Sequence, residues 1–145
     1  MLTASSDTVA RLWDVPTGTV VRELAHPAPV SRAQISRDGM SLVTVADDEV
    51  VRIWDLATGA ISQTLPHSST VQSIAISPDA RWIVTGDMDG MLYRWDVLRG
   101  QRIQSMHAHD GLIQDVVFSS DGVLLATASS DQTFRLWRVQ GADEL

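Results

Sequence analysis

The feature that most constrains this chain is a tryptophan that recurs about every forty residues. Trp13, Trp54, Trp95 and Trp137 are separated by 41, 41 and 42 residues. An aspartate lies six residues before each of them, a threonine lies ten residues before, and a histidine lies 28 residues before the last three. Residue types held in register over several copies indicate an internal repeat, so we expect similar structural units placed side by side.

Each repeat has the pattern of four short strands joined by turns. In the third copy, Val71–Ser77 mixes β-branched and small residues and stops at the turn signal Pro78-Asp79. A second strand is predicted around Thr85 and a third strand ends at Trp95. No long segment has helical periodicity. The pattern therefore predicts an all-β chain whose repeats contribute three, four, four and three strands, fourteen in all.

Composition excludes several classes of protein. The eleven basic residues are all arginine and are outnumbered by eighteen acidic ones, for a net charge of −7. An acidic surface repels phosphate backbones, so we expect no nucleic acid among the partners. The absence of cysteine excludes disulfides and thiolate zinc sites. The apolar runs are too short to span a membrane and the first residues lack the pattern of a signal peptide, so a cytoplasmic location is expected.

The repeated residues resemble those of the WD40-repeat family. In the third copy they are His67, Thr85, Asp89 and Trp95-Asp96, with counterparts in the other copies across essentially the whole chain. The resemblance implies β-propeller blades of four antiparallel strands, here about 3.5 blades that form an incomplete ring. The expected units are a partial blade at 1–25, blades at 26–66 and 67–107, and a partial blade at 108–145.

The third copy departs from its sisters. It has Tyr93-Arg94 where the others have an arginine followed by an apolar residue. In addition, Arg138 stands in the last copy where the others have the aspartate after the tryptophan.

The resemblance also implies a hydrogen-bonded tetrad inside each blade. Its members are an aspartate in a tight turn, a histidine before the first strand, a threonine on the second and the tryptophan on the third. The expected sets are Asp48–His26–Thr44–Trp54, Asp89–His67–Thr85–Trp95 and Asp131–His109–Thr127–Trp137. The first copy has Asp7, Thr3 and Trp13 but no histidine in register.

The same residue types could form a nucleophilic triad, but the repeat favours a structural role. An enzyme needs one asymmetric site, whereas this constellation recurs in three copies. The three histidines in register belong to separate blades and should lie far apart, which argues against a metal site. We therefore expect no catalytic residues, no metal and no cofactor.

The function that the resemblance implies is a non-catalytic scaffold that recognises partner proteins or peptides on the propeller rim. The positions where the family makes such contacts fall near the start of each first strand and beside the turn aspartate. In this chain they are Ser6, Pro29, Ser31, Asp47, Thr70, Gln72, Met88, Leu112, Gln114 and Ser130. The alternative is an enzyme or small-molecule-binding propeller with a site in the central channel, where the first strands offer Gln34, Ser73 and Asp115.

About 3.5 blades are too few to close a propeller ring. Propellers close at roughly four to eight blades, and free ends would expose unpaired edges and apolar faces. Either the remaining blades come from a longer chain, or short chains self-associate to close the ring. Met1 stands where a strand residue is expected, as at Leu42, Ile83 and Leu125. For this reason, and because free ends would expose unpaired edges, we favour a portion of a longer propeller.

Overall fold

The computed structural model describes residues 1–139 and, beyond them, only the backbone pairing of 143–144. Fourteen strands lie within residues 1–139, as the repeat pattern predicts, and the described residues contain no helix. No helix in this part of the chain is long and apolar enough to cross a membrane.

The strands form four antiparallel sheets in chain order. The first sheet has three strands, β1 (Leu2–Thr3), β2 (Val9–Asp14) and β3 (Thr19–Ala25). The second has β4 (Val30–Ile35), β5 (Ser41–Ala46), β6 (Val50–Asp55) and β7 (Ile61–Pro66). The third has β8 (Val71–Ile76), β9 (Trp82–Asp87), β10 (Met91–Asp96) and β11 (Gln101–His107). The fourth has β12 (Ile113–Phe118), β13 (Leu124–Ser129), β14 (Phe134–Arg138) and the two-residue β15 (Asp143–Glu144).

In each four-stranded sheet, the turn between the first and second strands is stabilised by its own residues. In the second sheet, the Ser36 hydroxyl donates to the Asp38 carboxylate (2.5 Å), which also accepts the backbone N–H of Met40 (2.9 Å). The next residue, Gly39, has a φ of 72°. The equivalent turns hold Ala80 at 56° and Gly122 at 74°. Alanine is therefore accommodated in the left-handed conformation that glycine adopts without strain.

Three apolar cores lie between consecutive sheets. In each core the repeated tryptophan comes from the later sheet, with Trp54 between the first and second, Trp95 between the second and third, and Trp137 between the third and fourth. Facing them are the third and fourth strands of the earlier sheet, for example Val51 and Leu65. A blade is thus stabilised by its neighbours on both faces.

The fourth sheet presents an uncovered apolar face on the side away from the third. Phe134 is 75% exposed and Leu136 is 39% exposed. At the same repeat positions in the second sheet, Val51 is 0% and Ile53 is 1% exposed, because the third sheet covers them. The four sheets therefore form a row with an open end, which is an incomplete ring.

Polar side chains also tie neighbouring sheets together. Arg22 on β3 donates to the carbonyls of Ala57 (3.1 Å) and Thr58 (2.9 Å) in the turn after β6. Gln63 on β7 donates to the Leu98 carbonyl in the corresponding turn of the third sheet (3.2 Å). Between the third and fourth sheets, Arg94 on β10 donates to the Val139 carbonyl (2.8 Å). These bonds satisfy turn carbonyls that strand pairing leaves free.

Candidate functional site

The recurring polar residues meet inside the sheets. In the second sheet, Trp54 Nε1 donates to Thr44 Oγ1 (2.8 Å), and the same hydroxyl lies 2.7 Å from His26 Nε2. His26 Nδ1 lies 2.9 Å from the Leu24 carbonyl oxygen, which can only accept. The proton is therefore on Nδ1, and Nε2 accepts from the threonine hydroxyl. All the hydrogen-bonding groups of this buried set have partners.

The third sheet repeats this arrangement. Thr85 Oγ1 lies 2.8 Å from His67 Nε2 and accepts from Trp95 Nε1 at 3.2 Å, while His67 Nδ1 donates to the Leu65 carbonyl (2.9 Å). In the first sheet, Trp13 Nε1 donates to Thr3 Oγ1 (2.9 Å) without a histidine.

Burial holds these two imidazoles in the neutral form. It lowers the pKa of His67 from its ordinary value to about 4, and the nearby Arg102 charge acts in the same direction. Burial also lowers the pKa of His26. Neutral rings are what the geometry requires, since Nε2 must keep a lone pair to accept the threonine proton.

Asp48 makes no hydrogen bond to His26, contrary to the expected tetrad. Its carboxylate binds the Arg52 guanidinium instead, with Oδ2 2.5 Å from Nη2 and Oδ1 3.1 Å from Nη1. The physical reason is that the Leu24 carbonyl already accepts the imidazole N–H, while an arginine two residues before the tryptophan offers a charged, two-pronged partner. The first sheet, which has no histidine in register, forms the equivalent ion pair, with Arg11 Nη1 2.7 Å from Asp7 Oδ2.

Asp89 is not part of a tetrad either. It is exposed, and among residues 1–139 its side chain makes no hydrogen bond to His67 or to another group. The third sheet uses the fully buried Asp87, which accepts from the Tyr93 hydroxyl (3.1 Å) and from two backbone N–H groups, and burial raises the pKa of this carboxyl. Sequence reasoning missed Asp87, although Tyr93 in place of the sister arginines was a visible signal.

Within residues 1–139, all four tetrad residues meet in the fourth sheet alone. His109 Nδ1 donates to Asp131 Oδ2 (2.9 Å), Nε2 lies 2.7 Å from Thr127 Oγ1, and Trp137 Nε1 donates to that hydroxyl (3.0 Å). His26 and His67 directly follow a strand, whereas Ala108 separates His109 from β11. We attribute the different ring contact to this extra residue, which also accounts for the 42-residue spacing before Trp137.

The connectivity of Thr127, His109 and Asp131 is that of a nucleophilic triad, but its surroundings do not permit catalysis by that route. The side chain of His109 is 0% exposed and Thr127 is 1% exposed. The Thr127 hydroxyl is also occupied by the indole N–H of Trp137. A substrate carbonyl could not reach the hydroxyl without unfolding the sheet, so the arrangement acts as an internal fastening.

The expected rim positions are brought to one end of the strands by an equivalent backbone bond in three sheets. Asp47 N–H donates to the Pro29 carbonyl (2.9 Å) in the second sheet. Met88 N–H donates to Thr70 in the third (3.0 Å), and Ser130 N–H donates to Leu112 in the fourth (3.1 Å). Each bond joins the entry of a first strand to the turn after the second. The rim is defined here as these entries and turns.

The rim side chains differ in chemistry and in exposure. Thr70, Gln72 and Leu112 are half-buried, and the exposed positions are Ser6, Pro29, Ser31, Asp47, Met88, Gln114 and Ser130. Carboxylates surround them, because Glu49, Asp89 and Asp110 are also exposed at this end. The surface is therefore chemically varied with an excess of negative charge.

The residues considered for a channel site do not converge. The buried Ser73 hydroxyl donates to the Ile113 carbonyl (3.0 Å) in the fourth sheet, which is a structural bond between blades. Gln34 and Asp115 are exposed on separate sheets. Among the described residues, no group of three or more histidine, aspartate or glutamate side chains could hold a metal ion.

Comparisons with known proteins agree with the repeat architecture. A family model described as "WD domain, G-beta repeat" matches residues 18–55, 59–96 and 100–138. The eukaryotic translation initiation factor 3 subunit I of Phaeosphaeria nodorum is 46% identical over 41 residues, which is 28% of this chain and 12% of that protein. The chain thus spans only a small part of the relative that it matches.

Proposed function

Because the chain belongs to the WD40-repeat family, with three matched repeats, we propose that it is a non-catalytic scaffold whose rim recognises partner proteins or peptides. The observation that carries the proposal is the division between fixed and variable residues. The threonine–tryptophan bond recurs in all four sheets. The rim positions beside it change from serine to aspartate to methionine. Invariant interior bonds with variable exposed loops are what a recognition surface requires.

The similarity to a translation initiation factor subunit supports a role within a protein assembly and a cytoplasmic location. The buried histidines support a non-catalytic role, since their hydrogen bonds are used up within the sheets. The exposed carboxylates Asp47, Glu49, Asp89 and Asp110 favour a partner segment rich in lysine or arginine.

The test selects ligands first and then locates their site. A random-peptide library is panned against the immobilised chain, and the affinity of the enriched peptides is measured by fluorescence anisotropy. In a rim variant with Asp47→Arg, Met88→Arg and Gln114→Arg, we expect binding to weaken by about tenfold or more. The matched control adds three arginines at the opposite end, Met40→Arg, Ala57→Arg and Leu98→Arg, and should bind normally. Equal binding by both variants would refute the rim as the recognition surface.

A further inference from the structure

Two sequence departures in the third sheet, Trp82 and Arg94, meet in space. Trp82 lies outside the tryptophan repeat and occupies the position of Ser41 in the second sheet. Arg94 occupies the position of Ile53. In the structure, Arg94 Cζ lies 5.2 Å from the centre of the Trp82 ring, and Arg81 Cζ lies 5.4 Å from it. Two guanidinium groups thus lie within cation–π distance of one indole. The other blades have no tryptophan at this position and cannot form this arrangement.

These three side chains line a cleft between the third and fourth sheets. The cleft has a volume of about 690 Å³, and its other walls include the turns around Asp79 and Asp121 and the Val139 segment. It lies at the end of the strands opposite the rim, since Trp82 begins β9 and Met88 follows its end. A six-residue strand separates the two ends by about 20 Å.

The two carboxylates of the cleft are each held by hydrogen bonds within their own turn. The Asp79 carboxylate accepts from the Ser77 hydroxyl (2.6 Å) and the Arg81 backbone N–H (3.1 Å). The Asp121 carboxylate is bound in the same way by Ser119 and Val123. Each pair of bonds ends on Oδ1, which fixes the carboxylate within its turn and away from the guanidinium groups, to which neither acid forms an ion pair among residues 1–139.

The arginines are less fully engaged. Arg94 uses Nη1 for the Val139 carbonyl (2.8 Å), and its buried Nε has no hydrogen-bond partner among residues 1–139. Within residues 1–139, the Arg81 guanidinium makes no hydrogen bond. Among the described residues, Arg94 Nη2 and the Arg81 guanidinium therefore keep N–H groups that can donate to an incoming acceptor.

We propose that this cleft binds a carboxylate of an acidic peptide segment, with Arg81 and Arg94 as the hydrogen-bond donors and Trp82 as the apolar floor. A planar carboxylate matches the fork of a guanidinium. Asp79 and Asp121 also line the cleft and repel anions in proportion to their charge, so a singly charged carboxylate is favoured over a doubly charged phosphate. The site is separate from the rim, so it does not depend on the scaffold function proposed above.

The test uses the full chain labelled with 5-fluorotryptophan, whose Trp82 signal is assigned by ¹⁹F NMR from the variant Trp82→Phe. The probes are the blocked peptide acetyl-Gly-Glu-Gly-amide, its glutamine counterpart and inorganic phosphate. We expect the glutamate peptide to shift the Trp82 signal in a saturable manner, and the glutamine peptide and phosphate to leave it unchanged.

Three variants locate the interaction. Arg94→Ile restores the residue of the second sheet, and Arg81→Gln alters an exposed residue that the fold does not require. Each should weaken binding by about tenfold, as expected for loss of a charge-assisted hydrogen bond. Arg37→Gln, which changes an exposed arginine outside the cleft, should leave binding unchanged. No shift with the glutamate peptide, an equal shift with the glutamine peptide, or unchanged binding by Arg81→Gln would each overturn the proposal.

Discussion

At the scale of single residues, the threonine hydroxyl is the centre of the internal hydrogen-bond network in each sheet. One hydroxyl can donate once and accept twice, so it links an indole N–H to an imidazole lone pair. Thr44 thereby joins β6 to the segment before β4, and Thr85 does the same in the third sheet. Loss of one such buried partner leaves two polar groups unsatisfied, at a cost of about 1–3 kcal/mol.

The neutral state of His67 predicts a loss of stability in weak acid. The pKa of the folded protein's His67 is about 4, below the ordinary value of 6.5, so between these pH values the unfolded chain binds the proton more readily. The contribution of His67 is complete above about pH 6.5 and is lost as the pH falls towards 4. Between pH 7 and pH 4.5 this amounts to about 2 kcal/mol.

The measurement is the free energy of unfolding in urea at pH 7 and at pH 4.5. His67→Gln cannot titrate, so its stability should fall by about 2 kcal/mol less than that of the unmodified chain over this interval. His107→Gln alters an exposed histidine at the end of β11 and should retain the full decrease. If His67→Gln and the unmodified chain respond equally to pH, the assignment to His67 is wrong.

At the scale of strands and turns, the residue five before each tryptophan shows why glycine is needed in only one copy. Thr8, Glu49 and Gln132 adopt φ values of 72°, 63° and 70°, so this position accepts side chains in the left-handed conformation. Gly90 has a φ of 75°, but a Cβ there would overlap the backbone carbonyl of His109 in the next sheet. Close packing between sheets, and not φ alone, therefore requires glycine at this turn.

Replacing Gly90 by alanine should therefore be much more costly than an equally strained replacement elsewhere. Gly39 has a similar φ of 72°, and a Cβ there would meet nothing within 4 Å. We expect Gly39→Ala to lower the free energy of unfolding by about 1 kcal/mol. Gly90→Ala should lower it by roughly 3 kcal/mol or more, because the third and fourth sheets must also move apart. Equal losses in urea unfolding would show that the His109 contact is unimportant.

The strands could be predicted from the sequence because the tryptophan period and the turn residues are local signals. The partners of the turn aspartates could not. Asp48 had two candidate partners, His26 and Arg52, and the choice depended on a backbone carbonyl at Leu24 that no side-chain motif records. In the fourth sheet the same motif gives the full tetrad because one extra residue, Ala108, precedes His109. The one-residue difference in spacing before Trp137 therefore indicated a different histidine partner, which the shared motif alone did not.

At the scale of the whole molecule, the two ends of the row present complementary faces. The fourth sheet exposes Phe134 and Leu136, whose counterparts are buried against a following sheet. The first sheet leaves Trp13 half-buried, whereas Trp54 and Trp95 are buried against a preceding sheet. A contact between the end of one copy and the beginning of another would repeat an interface that the chain already makes three times internally.

We therefore predict that the 145-residue chain, in the absence of the further blades expected from a longer propeller, self-associates in a concentration-dependent way through these faces. Light scattering after gel filtration should give a mass above that of one chain, and Phe134→Glu should return it to a single chain, because a carboxylate cannot be buried there without a partner. Leu98→Glu, at a residue that is 83% exposed in a turn away from this face, is the control and should still associate. If the unmodified chain stays monomeric at all concentrations, closure of the ring by self-association is excluded. The exposed face of the fourth sheet would then be covered by further blades of a longer chain.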